Sequence, residues 1–189
     1  MKKALLFVGL GLTAGLLLST SIPRPALGQD PDARPGPEHK FLAEFAGEFE
    51  TSPSFWLSPE SKPLMLEGQA KQEMILDGRF LLSHSLVDTP GLESESYSVM
   101  GYDRGRRVYT MISIDTQGTK INYFEGKRKG KGSIVLKDPF GIVQVTVAPM
   151  KKGKSNTEIV VLAAEEPYVL LSSDSVRVEP EEEEEDDNR

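Results

Sequence analysis

Residues 74–88, MILDGRFLLSHSLVD, decide how this chain folds. Asp77-Gly78 is a turn pair of the kind that joins two antiparallel strands through a two-residue loop. It stands between a run ending in Met74-Ile75 and one beginning at Phe80, so the stretch reads as a hairpin. The same grammar continues in both directions. YDRGRRVY, residues 102–109, sets Gly105 between two strand-like runs, and KDPFG and EEPY use Pro at strand joins. Short alternating runs predict ten strands, over 48–57, 64–76, 79–88, 96–103, 107–115, 119–126, 131–138, 141–149, 156–165 and 167–178. No helical periodicity separates them, which argues against a parallel α/β sheet. An up-and-down antiparallel barrel or a sandwich fits the spacing.

One helix is expected ahead of these strands. Pro37 opens PEHKFLAEFAG and Gly47 closes it, with Phe41, Leu42 and Phe45 on one side. Two to three turns cannot hold a helix alone in water, so that apolar side must pack on the strands.

Three stretches carry a family resemblance: GPEHKFLAEFAGEFE, GQAKQEMILDGRFL and MGYDRGRRVYT. They resemble successive landmarks of the bacterial family called domain of unknown function 1579. The likeness covers residues 36–126 best, Phe49 stands where that family usually has Trp, and the C-terminal strands diverge. The resemblance implies a mainly β, calycin-like (lipocalin-like) up-and-down antiparallel barrel of about ten strands with a short N-terminal helix. It implies no reaction.

The ends of the chain differ in composition from its middle. Met1-Lys2-Lys3 and the apolar run Ala4–Leu18 read as an export signal over residues 1–28, with small Ala26 and Gly28 before a cleavage point at Gln29. The strongly apolar run falls short of the roughly 20 residues that span a bilayer, so no membrane span is expected after cleavage. The expected location is extracytoplasmic, periplasmic or secreted. Residues 29–36 are Pro-rich linker, 37–178 the barrel domain, and 179–189, EPEEEEEDDNR, a disordered acidic tail. The formal charge of −7 becomes −10 once Lys2, Lys3 and Arg24 leave with the leader, and the tail alone carries −7 of that. The chain has no Cys, so neither disulfides nor thiolate chemistry is open to it.

Catalytic signatures are sparse. Two His and no Cys give no metal-ligand spacing, and no metal or cofactor is expected. In LLSHSLVD, Ser83 and Ser85 point to the strand face opposite His84, which works against a triad. His84 shares its face with Phe80, Leu82 and Leu86, the more apolar side, and is therefore expected inside the barrel, as a core histidine satisfied by a neighbour or as a candidate ligand contact. Trp56, Tyr97, Tyr109 and Tyr123 are candidate pocket-lining aromatics, and His39 near the helix start is a further candidate.

Charge supplies a second layout. In an up-and-down barrel alternate turns share one end, so Arg104, Arg106 and Arg107, then Lys127, Arg128, Lys129 and Lys131, then Lys151, Lys152 and Lys154 form a basic rim. The intervening turns carry Asp88, Glu93, Glu95, Asp115, Asp138, Glu165 and Glu166 without basic residues of their own. The helix enters at the basic end, where it would plug the barrel, and the tail would emerge there and fold over the rim. The leading expectation is an exported protein that holds a small, partly apolar or amphipathic molecule inside its barrel. The alternatives are a module whose basic rim docks an anionic surface, and an enzyme using His84 or His39 as a base. Export and the lack of interleaved stacking aromatics argue against nucleic acid as a partner.

Overall fold

A computed structural model describes residues 34–89, 92–130 and 132–179. The expected leader, most of the linker and all of the tail but Glu179 lie outside the described residues. So does Lys131.

One helix, α1 (Pro37–Ala43), precedes eleven strands: β1 (Gly47–Phe55), β2 (Leu64–Met65), β3 (Glu67–Ile75), β4 (Phe80–Thr89), β5 (Leu92–Asp103), β6 (Val108–Asp115), β7 (Asn122–Lys129), β8 (Ser133–Lys137), β9 (Val143–Val147), β10 (Lys154–Val161) and β11 (Tyr168–Arg177). Every neighbouring pair is antiparallel, in the order β11-β10-β9-β8-β7-β6-β5-β4-β3-β1, and β11 returns to pair with β1. Ten strands therefore close a barrel, with the two-residue β2 paired beside β1. Closure leaves no long unpaired edge. Among the described residues no helix is long and apolar enough to cross a membrane.

The expected strand over 64–76 is divided between β2 and β3, and the strand expected to end at 126 runs on to Lys129. The Asp-Gly turn is also longer than a two-residue loop. Ile75 pairs with Phe80, leaving four residues between, and Leu76, Asp77 and Gly78 all have positive φ (50°, 55° and 78°). Arg79 holds the turn by donating from its backbone to Ile75 O and from its guanidinium to Leu76 O.

Register fixes which side chains face in. Phe49, buried, pairs with Ala70, Ala70 with Ser85, and Leu81 with Met100, itself opposite Met111, which pairs with Phe124. Near the helix, Leu81, Met100, Met111 and Phe124 form one core with Phe41, Leu42 and Phe45 of the helical segment, plus Tyr109, Ile134, Leu136 and Val145. The helix thus plugs the end of the barrel where β1 begins. Burying its three large apolar side chains contributes roughly 1.5–3 kcal/mol each, which is what holds a two-turn helix in place. Arg128, inward at the end of β7, lies with its guanidinium 3.7 Å from the centre of the Phe41 ring. Arg177 donates to Glu44 O at 2.9 Å, tying the last strand to the helix C-terminus.

The helix end also receives the turns at 76–79, 104–107 and 148–153, and the chain leaves β11 there. The opposite end is the mouth, bounded by the connections at 56–66, 116–121, 138–142 and 162–167. The basic residues of the expected rim that are described do lie toward the helix end. The mouth is not free of cations, however. Lys120 falls in the β6–β7 turn because β7 starts later than its sequence pattern implied, and Lys62 lies in the β1–β2 connection, a mouth turn the charge layout had left out.

Candidate functional site

The open half of the barrel has an inverted wall. On β4 the inward residues are Leu81, Ser83, Ser85 and Val87; on β5, Ser96, Ser98 and Met100; on β6, Met111, Ser113 and Asp115. Ser83 pairs with Gln72 on one side and Ser98 on the other, Ser98 with Ser113, and Ser113 with Asn122. A row of neutral hydrogen-bonding groups therefore crosses five strands. Closer to the helix, inward Leu81, Met100 and Met111 are 5%, 7% and 9% exposed. The serines on the same strands are only half-buried. Since both sets face inward, the extra exposure of the serines is to the lumen. Their hydroxyls make no hydrogen bond to any other group among the described residues, so each is available to a guest.

Facing this row across the barrel, β9, β10, β11 and β1 present Val143, Ile159, Leu171 and Phe55, which share one inward register and are also half-buried. The lumen is thus polar on the serine wall, whereas the wall across from it is apolar toward the mouth and carries Thr51, Thr157 and Ser173 in the same inward register nearer the helix. Two further grooves lie outside it. One, of about 490 Å³, is lined by Glu50, Ser52, Glu67, Gln69, Leu86 and Asp88 on the outer surface. The other, of about 520 Å³, sits at the helix end beside Met150, Lys152 and Arg177.

His84 is not inside. The face it shares with Leu82 and Leu86 is the outer one, against the expectation from polarity. Its Nε2 lies 2.8 Å from Glu95 Oε1, and its ring stacks flat on Tyr97 at 4.4 Å. The Tyr97 hydroxyl donates to the same carboxylate at 3.0 Å and, with His84, holds Glu95 below its usual carboxylate range. This cluster rests on an outer apolar strip: Leu86, Tyr97, Ile112 and Ile114 are each between 41% and 47% exposed. Tyr123 also points outward and donates to Glu125 at 2.9 Å. Trp56 sits half-buried at the mouth, its backbone N–H donating to Leu170 O.

Tyr109 is the one expected lining aromatic that the fold turns inward. It is 2% exposed and packs against Tyr102 in the plugged half, away from the mouth. Burial pushes its pKa up to about 12; Arg128 opposes the shift from nearby, but the hydroxyl has no hydrogen-bond partner among the described residues.

His39 is a structural residue of the plug. As the third residue of α1 its Nδ1 accepts from the Gly36 N–H at 3.0 Å, satisfying a free donor at the helix start. Burial lowers its pKa from 6.5, and Arg104 adds to the effect. Protonation would remove the acceptor. The folded state thus favours neutral imidazole, so this contribution is complete above pH 6.5 and falls away as pH drops below it. His39→Gln, which retains an acceptor at this helix position, is expected to flatten the loss of stability between about pH 7 and pH 5 in urea titrations. An unchanged slope would show that the imidazole is not its source.

The rim residues divide into two groups. Arg106 donates to Asp103 and Glu125, Arg104 to Arg34 O, and Arg128 covers Phe41, so these three serve the fold. Arg107, Lys127, Lys129, Lys151, Lys152 and Lys154 form no ion pair among the described residues.

A family model described as protein of unknown function (DUF1579) matches residues 34–160. The chain belongs to that family. The match runs from just ahead of α1 through most of β10. Thus β11, which closes this DUF1579 barrel against β1, lies beyond it. A search of curated proteins finds no match. The inward serines are the feature that sequence reading passed over. Their signal was present as a period of two, in Ser83 and Ser85, in Ser94, Ser96 and Ser98, and in Ser113.

Proposed function

We propose that this DUF1579 protein binds a small amphipathic molecule in the open half of its barrel. The polar edge of the guest would lie along Ser83, Ser98 and Ser113, and its apolar part against Phe55, Ile159 and Leu171. The observation that carries this reading is the inverted wall. Strands that turn serine inward and leucine, isoleucine and tyrosine outward forgo apolar burial, and such violations of local preference concentrate at functional sites. In this reading the protein acts outside the cytoplasm after cleavage before Gln29, which N-terminal sequencing of the mature protein would test.

Native mass spectrometry of the protein purified from its own host should reveal a bound small molecule. Ser98→Phe, which fills the lumen, should lose it. The same mass in both proteins, or no adduct in the wild type, would defeat the reading.

A second reading is favoured by the six basic side chains at the helix end that form no ion pair among the described residues. They would dock an anionic polymer there. Replacing Lys127, Lys129, Lys151 and Lys152 by Gln should then reduce heparin retention and flatten its dependence on salt.

A further inference from the structure

We propose that the lumen selects an uncharged amphiphile over an anionic one of the same shape. The inference rests on the reading above and adds the chemical class of the guest. Between the apolar floor and the mouth, the polar wall is Gln72, Ser83, Ser98, Ser113 and Asn122, all neutral donors and acceptors. The sole inward charge there among the described residues is Asp115, a carboxylate that already accepts the Gln117 N–H at 2.9 Å.

Among the described residues no cation lies at an inward position beside this polar wall. The arginines at inward register positions, Arg128 and Arg177, lie at the helix end, one over Phe41 and the other on Glu44 O. The mouth reinforces the selection, with Glu60, Asp138, Glu165 and Glu166 against Lys62 and Lys120. Asp138 is kept ionised by the backbone N–H groups of Val143 and Phe140, which hold its carboxyl below the usual range. A carboxylate entering here would lose water and meet no countercharge, a penalty an ester or alcohol avoids.

The test uses Trp56, the only tryptophan and placed at the mouth, as a fluorescence reporter. A monoacylglycerol, the fatty acid of equal chain length and the matching alkyltrimethylammonium are titrated near neutral pH below their micellar concentrations. The monoacylglycerol should bind at least about tenfold tighter than the fatty acid, the loss expected when a charge must be desolvated without a partner. Ser98→Lys or Ser113→Lys, each placing a cation on the wall, should erase or reverse that ratio. Wild-type protein that binds the fatty acid equally well, or the ammonium more tightly than the glyceride, overturns the inference and leaves amphiphile binding intact. An unchanged ratio in both lysine variants overturns it as well. Failure of all three probes removes the proposed function and this inference together.

Discussion

Gly126→Ala should lower stability by about 3 kcal/mol, at the upper end for overpacking a closed core. A Cβ built at Gly126 would lie 1.9 Å from the carbonyl oxygen of Val135 and 2.8 Å from its carbon, both backbone atoms of the paired strand. No rotamer relieves that clash, so β7 and β8 must separate in the middle of a closed sheet. For a domain of this size the loss corresponds to a fall of roughly 6–12 °C in Tm. Gly105→Ala is the matched control. Its new methyl would meet only Asp103 Oδ1 at 3.4 Å, and it should fall within about 0.5 kcal/mol of wild type. Equal melting of the two variants would mean that the β7–β8 approach is looser than described.

The triple variant Ser83→Val, Ser98→Val, Ser113→Val should move in the opposite direction. Each valine would trade an unbonded lumen hydroxyl for apolar surface in a β-branched residue suited to a strand. A gain of about 1–3 kcal/mol is expected, less than the sum of three independent changes because the positions are cross-strand neighbours. Amphiphile binding should be lost at the same time. Stability gained at the expense of binding is the signature of a functional wall. A lower urea midpoint with binding retained would instead make the serines structural.

Connectivity was readable from the chain because turn residues are local. The Asp-Gly and Arg-Gly turns and the Pro joins marked strand ends, and alternation of turns then placed the cations of 104–107 and 151–154 at the helix end. The inside of the barrel was not readable by the same route. FLLSHSLVD offers two apolar parities, Leu81 with Val87 and Leu82 with Leu86, and the richer one was assigned inward. The fold chooses the other, because Leu81 must meet Met100 under the helix, and every residue beyond it follows in steps of two. His84, Tyr97 and Tyr123 went outward with that choice. His39 was noticed for its neighbours in sequence, yet its role is set by the geometry of the helix start. That geometry appears only once Gly36 takes its place.

The inverted wall also gives the barrel a competitor during folding. Sliding β4, β5 and β6 by one residue would turn Leu82, Leu86, Tyr97, Ile112 and Ile114 inward and release the serines to water. Apolar burial alone would reward that mirror register. The native register is keyed sterically. Gly101 leaves space for the Phe80 ring, which would stand 2.6 Å from a Cβ there, and Gly68 lets the Leu86 carbonyl approach to 2.5 Å of the same missing atom. These glycines admit the close approaches of the native alignment, in which the lumen stays lined with hydroxyls although greasier walls lie a single residue away.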